Sequence, residues 1–197
     1  MSWINEISSE DAKGYLDKIY RDIEKSRGKV ANILRVHSLN PKALRAHLML
    51  YNAIMFENST INRELCELIA VIVSSMNKCA YCINHHAESL RKYRDDVDQI
   101  LNSLELLSKN PDSKIVFYLD ALDFREREKA IAKYAIKLTI NQENMQNYDI
   151  QKLKKLNIDD EAILQINLII SYFNFVNRIA LGLGVEYTED EIQGYKA

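Results

Sequence analysis

Apolar residues in this chain return at intervals of three and four almost from end to end. Tyr15, Leu16, Ile19, Tyr20 and Ile23 follow that spacing, and so do Leu44, Leu48, Tyr51, Ile54 and Met55. Leu65, Leu68, Ile69, Ile72 and Val73 follow it again. A 3.6-residue apolar period is the mark of an amphipathic helix. Only 5 Gly and 2 Pro occur in 197 residues, too few for the tight turns of an all-β domain. The pattern predicts an all-α chain of about eight or nine helices. We read residues 1–197 as one domain with a motif-bearing core at 61–93.

Local punctuation sets the boundaries. Ser8-Ser9 ahead of Glu10-Asp11 predicts the first helix start, and Gly28 its end. Val30 to Leu39 reads as irregular. Asn40-Pro41 is an N-cap followed by a first-turn proline. Ile61 to about Ser75 reads as a strongly apolar helix. Its β-branched half, Ile69 to Val73, leaves a buried strand as the competing reading, which length and period disfavour. A turn is predicted at Ser74 to Asn77, with Asn77 left-handed. Further helices are predicted from Cys79 to about Tyr93, Val97 to Leu107, Lys114 to Leu122, Phe124 to Thr139 and Ile150 to Leu156. The last helix opens at Asn157 to Asp160 and closes at Gly182 and Gly184. It is apolar around most of its circumference, which predicts burial on all sides and, with it, a homo-oligomer. Arg63-Glu64 with Ile69-Ala70 echo Arg125-Glu126 with Ile131-Ala132, a faint sign of internal duplication. The second copy would lack the chemistry, because Lys129 stands where Glu67 stands.

Composition excludes several function classes. The net charge is −2, with 26 basic against 28 acidic residues, which argues against a nucleic-acid binder working by phosphate neutralisation. No segment reaches the roughly 18 apolar residues of a membrane span. The best candidate, Ala162 to Ala180, is interrupted by Gln165, Asn167, Asn174, Asn177 and Arg178. Met1 to Glu6 does not read as a secretory signal. Three cysteines are an odd number for a secreted disulfide framework. A cytoplasmic protein is the expectation, and any disulfide in it is then catalytic.

The stretch Glu67 to His86 concentrates the chemistry, with two of the three cysteines and two of the four histidines. Cys79 and Cys82 form a C-x-x-C pair at a helix start, where both sulfurs lie on one face. The helix N-terminus and Lys78 add positive potential, which lowers a thiol pKa from about 8.5 toward 7. His86 follows Cys82 by four residues and shares its face; His85 lies on the adjoining edge. Either can take a thiol proton or stabilise the thiolate. Glu67 stands among apolar residues and needs a partner if buried. An antiparallel pairing of the two helices brings it to face the cysteine helix, with a histidine as a suitable partner. Three readings stay open on these residues: a redox dithiol enzyme, a dithiol exchanger or sensor, and a zinc site on Cys79, Cys82, His85 and His86. Cys66 reads as a buried structural thiol. His37 and His47 read as ordinary surface or cap histidines. Tyr93, Tyr118 and the other tyrosines read as packing residues, and Arg125 to Lys129 as a solvated helix face.

Glu67, eleven intervening residues, Cys79-x-x-Cys82, then x-x-x-His86, with Ser74-x-x-Asn77 before the first cysteine, resembles the AhpD-like alkylhydroperoxidases. These belong to the carboxymuconolactone decarboxylase superfamily, and the arrangement most resembles its peroxidase-related branch. The resemblance implies an all-helical fold, ring-like trimers or hexamers, and thiol-dependent hydroperoxide reduction with no bound cofactor or metal. It implies an external dithiol reductant, thioredoxin-like or lipoyl. It also implies that Glu67 and His86 form a proton relay, and that Cys82 attacks peroxide while Cys79 closes the disulfide. The best-known members carry a histidine immediately before the second cysteine, and here that residue is Tyr81. A phenol with pKa about 10 is no near-neutral base, though it donates a hydrogen bond. Tyr81 and His85 are therefore auxiliary candidates. Lactone decarboxylation, also known in the superfamily, gains nothing from a cysteine pair.

Overall fold

The structure is a computed structural model that describes residues 2–57, 60–109, 119, 120, 122–188 and 191. Among the described residues there are nine α-helices and no strand. They are α1 (Gly14–Arg27), α2 (Asn32–Arg35), α3 (Pro41–Met55), α4 (Arg63–Met76), α5 (Ala80–Leu90), α6 (Val97–Lys109), α7 (Glu126–Ile140), α8 (Asn147–Lys154) and α9 (Asp160–Gly182). A 3₁₀ turn, Gln142–Asn144, precedes α8. The all-α expectation holds. Most of the helix expected at Lys114 to Leu122 lies outside the described residues.

α4 is the axis of the molecule. Every residue from Cys66 to Met76 is buried. α5, α6, α7 and α9 all pack on it. A helix surrounded on all sides has no polar face to give, which explains its continuous apolar run. The same run allowed a strand reading at Ile69 to Val73, and the structure resolves it as helix. The two echoing segments, α4 and α7, are helices packed on each other. A second, smaller apolar cluster joins α1, α2 and α3 through Leu16, Ile19, Tyr20, Leu34 and Leu44.

Capping follows the sequence at two helices. Asn40 Oδ1 accepts the Ala43 amide at 3.1 Å with Pro41 in the first turn. Asp159 Oδ1 accepts the Ala162 amide at 2.8 Å at the start of α9. The expected start of α1 is displaced. Ser8 spends its hydroxyl on Asp11 at 2.8 Å in a separate turn, and the helix begins only at Gly14. The stretch read as irregular, Val30 to Leu39, contains the one-turn helix α2.

Two further readings are corrected. The left-handed residue between α4 and α5 is Lys78, at φ 56°, while Asn77 stays right-handed. Asn77 is held there because its side-chain amide donates to Asn174 Oδ1 at 3.0 Å and Asn177 Oδ1 at 2.9 Å. α9 is not buried on every side within one chain. Ile166, Ile169, Ile170 and Phe173 are sealed, whereas Leu164, Leu168 and Phe175 stay exposed on the opposite face. At the end of α9, Gly184 takes φ 61°, and the Trp3 ring lies where a side chain would project.

Truncating the axis helix is expected to be costly. Ile69→Ala removes a fully buried side chain from α4 and should destabilise the protein by about 2–5 kcal/mol in urea unfolding. The exposed Leu164→Ala should cost far less.

Candidate active site

The short turn after α4 reverses the chain and lays α5 against it. The Cys79 amide donates to the Ser74 carbonyl at 2.9 Å and fixes the reversal. Cys79 thereby becomes the N-cap of α5. Cys82, His85 and His86 follow in the first two turns of that helix. Cys82, His85 and His86 of α5 and Glu67 of α4 line one cavity, with Cys79 behind Cys82.

Glu67 has no solvent exposure. One carboxylate oxygen pairs with the Arg63 guanidinium at 2.5 Å, one helical turn earlier. The other accepts His86 Nδ1–H at 2.6 Å. Burial pushes the Arg63 guanidinium down, but Glu67, the Tyr51 hydroxyl and Cys66 together outweigh it and raise its pKa. With Nδ1 spent on Glu67, a neutral His86 keeps Nε2 as its basic nitrogen. The ring is set edge-on to Phe173 at 4.5 Å, which fixes its plane.

Both cysteine thiols are buried and free of disulfide. They share a hydrogen bond with opposite consequences. The contact from Cys82 draws the Cys79 thiol below its usual pKa, and the amides of Tyr81 and Cys82 at the helix start lower it further against the effect of burial. Cys82 is pushed well up, first by that same contact with Cys79 and then by burial. The Asn177 side chain bonds to Cys82 and opposes the rise. Asn177 is itself sealed in the core and also donates to Ser74 Oγ at 3.1 Å. The reduced pair thus holds its first negative charge on Cys79.

A cavity of about 730 Å³ opens beside this cluster. Cys82, His86, Glu67, Tyr81 and His85 are in its wall, and Cys79 is not. The residue between the cysteines has its own network. Tyr81 Oη accepts the Ile33 amide at 3.2 Å and donates to Glu191 Oε1 at 2.6 Å. His85 Nε2 stands 3.6 Å from the same carboxylate oxygen. Burial works against the Glu191 carboxylate, but bonds from His85, Tyr81 and the Asn32 amide hold it below the usual carboxylate range. The sequence reading passed over Glu191, which lies 109 residues after Cys82 with no motif around it.

His37 and His47 are not surface or cap residues. They form a buried wire that ends at the cavity. His37 Nδ1 lies 2.9 Å from the Ile33 carbonyl, which only accepts, so Nδ1 carries the proton. His37 Nε2 then accepts from His47 Nδ1 at 3.3 Å. His47 Nε2 in turn accepts from the Tyr172 hydroxyl at 2.6 Å. The neutral form of both rings is favoured by burial, which lowers His37 and takes His47 down to about 3, with His37 and the Arg27 charge assisting at His47. Burial raises Tyr172 well above the usual phenol value. Tyr172 is therefore a hydrogen-bond donor to His47, not a packing residue alone.

The zinc candidates do not converge. His86 is spent on Glu67, His85 faces Glu191, and the two sulfurs face each other. Among the described residues no three His, Cys, Asp or Glu side chains are grouped to hold a metal ion. Among the same residues no helix is long and apolar enough to cross a membrane.

Residues 41–106, which contain Glu67, Cys79, Cys82 and His86, match the model of the Carboxymuconolactone decarboxylase family. A crystal structure of an alkylhydroperoxidase AhpD core, a peroxidase-related protein from Ralstonia eutropha JMP134, superposes with TM-score 0.79. It covers 97% of this chain and 94% of its own, at 19% identity. The debrominase Bmp8 superposes with TM-score 0.70 over 95% of this chain and 96% of its own, at 21% identity. A Bacillus subtilis (strain 168) protein, YdfG, is 28% identical over 129 residues, 65% of this chain and 79% of its own length. The fold is AhpD-like, and the family match falls on the segment that carries the site. The chain is thus similar to the carboxymuconolactone decarboxylase family over residues 41–106 and to AhpD-like proteins in its fold.

The wire gives the protein an acid-sensitive core. Folded His47 refuses a proton until about pH 3, whereas the unfolded chain accepts one near pH 6.5. Its contribution is intact above pH 6.5 and is lost as pH falls toward 3, by up to about 1.4 kcal/mol per pH unit. Urea unfolding between pH 7 and 4 should show this slope, and a His47→Gln variant should show a shallower one.

Proposed function

We propose that this protein is a thiol-dependent peroxidase that reduces hydroperoxides through a Cys79–Cys82 dithiol–disulfide cycle. The observation that carries the reading is the position of Cys82, hydrogen-bonded to Cys79 on one side and in the wall of the cavity shared with the Glu67–His86 dyad on the other. The Cys82 proton passes to Cys79 or to His86, whose Nδ1 is held by Glu67 so that Nε2 is left to accept it. The Cys82 thiolate attacks the terminal peroxide oxygen and the O–O bond breaks. Cys82 becomes a sulfenic acid, and the departing alkoxide takes the proton to leave as an alcohol. Cys79 then displaces water from the sulfenic sulfur, and the disulfide forms. An external dithiol, thioredoxin-like or lipoyl, returns the pair to its starting state. Tyr81, tied to Glu191, takes no proton in this scheme and fixes the first turn of α5. No bound cofactor is needed. The dependence on reduced thiols suits a cytoplasmic protein. The exposed strip of Leu164, Leu168 and Phe175 on α9 supports assembly into a homo-oligomer, a trimer or hexamer, which sedimentation equilibrium can count.

A second reading draws on the likeness to Bmp8, of which one structure is a complex with 2,3,4-tribromopyrrole. The same dithiol can supply two electrons to a carbon–halogen bond, so that carbon takes one thiol proton, halide leaves with the other proton released, and the disulfide closes. Bromide release from that pyrrole is its test.

Steady-state consumption of cumene hydroperoxide with excess dithiothreitol tests the main reading. Turnover is expected in the wild type and should fall to background in Cys82→Ser. Glu67→Gln should lower kcat by about 10²–10⁴-fold. With dithiothreitol removed before peroxide is added, Cys79→Ser should stop after one turnover with Cys82 one oxygen heavier by mass. Undiminished activity in Cys82→Ser would overturn the assignment of the nucleophile. Slow, single disulfide formation without turnover in the wild type would leave a dithiol sensor.

A further inference from the structure

The cavity is much larger than the reaction requires. At about 730 Å³ it falls in the range of sites for drug-sized organic molecules, and a bare peroxide would leave nearly all of it unfilled. Its wall is an uninterrupted aromatic path. The Arg27 guanidinium carbon lies 4.7 Å from the centre of the Tyr51 ring. Tyr51 is 5.6 Å from Tyr172, Tyr172 is 5.2 Å from Phe173, and Phe173 is 4.5 Å from His86. One end of the path is a cation, and the other is the dyad beside Cys82.

Arg27 differs from the basic groups near the dyad, and also from Lys92, the wall's other cation without a carboxylate partner among the described residues, which is exposed to solvent while Arg27 is half-buried. Arg63 is neutralised by Glu67, and His85 faces Glu191. Arg27 donates to the neutral Asn52 Oδ1 at 2.8 Å and lies over the Tyr51 and Phe56 rings. Among the described residues no carboxylate lies within ion-pair distance of it. Its charge is felt at both His47 and Tyr172, so it acts on the same end of the cavity as the histidine wire. That wire matters here. Tyr172 has given its only proton to His47, so its hydroxyl offers the cavity lone pairs and no donor. An anion entering this end has the guanidinium to bond and is repelled by the tyrosine oxygen, which confines its charged group to Arg27.

We propose that the cavity binds an aromatic carboxylate, with the carboxylate on Arg27 and the ring along Tyr51, Tyr172 and Phe173, so that the far end of the molecule is presented to Cys82. This names the substrate class for the reading above and rests on it only for the reaction at Cys82. The binding is independent of turnover.

The test is calorimetric titration of the reduced protein with 4-isopropylbenzoate and with the neutral, isosteric 4-isopropylbenzamide. The wild type should prefer the acid by about tenfold or more, the value of a hydrogen bond to a charged partner. Arg27→Gln should bind both alike, and Arg27→Lys should recover part of the preference. Equal affinity of the wild type for acid and amide overturns the proposal, as does binding of neither at millimolar concentration. A preference that survives in Arg27→Gln overturns it as well. The wild-type comparison uses no variant, so a folding defect in either variant does not decide it. Acid-selective binding by a protein that consumes no hydroperoxide would support this site and refute the peroxidase reading. Turnover without acid preference would do the reverse.

Discussion

A carboxylate with no solvent exposure sits in the middle of the molecule's central helix, and the arrangement around it follows from the need to compensate it. Burying Glu67 alone would cost several kcal/mol. The compensation comes from one residue a helical turn earlier, Arg63, and from one on the next helix, His86. The second partner fixes the rotation of α5 about its axis. Once His86 faces Glu67, Cys82 four residues earlier must face the same way, and Cys79 becomes the N-cap. The two oxygens of one side chain thereby set the phase of the redox helix against the core. A structural ion pair and the proposed proton relay are here the same group of atoms.

The fold was legible because its signals are local and repeated. The apolar period of α4, the Asn40 and Asp159 caps and the scarcity of glycine all concern residues close in sequence. The core of the site was legible for the same reason: Glu67, Cys79, Cys82 and His86 lie on two consecutive helices joined by a short turn. What escaped was long-range. His47 bonds to Tyr172 across 125 positions, and Tyr81 to Glu191 across 110. Nothing within a helical turn of His47 marks it, and a tyrosine on an apolar helix looks like packing until its hydroxyl partner is known. The misread turn has a similar cause. Asn77 suits a left-handed position by propensity, but its amide is held by Asn174 and Asn177 of α9, and Lys78 takes the unfavourable φ instead. Tertiary bonding overrode a local preference.

The site divides its polar work between two ends of one cavity. At the Glu67 end the polar groups are paired: a carboxylate with a guanidinium, an imidazole with that carboxylate, and two thiols whose hydrogen bond draws Cys79 below its usual pKa. At the Tyr172 end, burial suppresses charge on both histidines and raises the phenol. The proposed sulfur chemistry thus lies away from the end where burial suppresses charge. The intervening rings separate the two regimes.

The two ends are nevertheless joined, and by the shortest α-helix among the described residues. Ile33 of α2 gives its amide to Tyr81 and its carbonyl to His37. Tyr81 continues to Glu191, and His37 continues to Tyr172. A belt of hydrogen bonds therefore runs from the C-terminal segment, through the residue between the cysteines, to the far wall of the cavity. Its central link is a main-chain segment rather than a side chain. Alanine at position 33 would register only lost packing and leave the belt intact, whereas proline would cut it by removing one donor. Part of what shapes this pocket is thus written in backbone conformation, where side-chain comparison between relatives has nothing to compare.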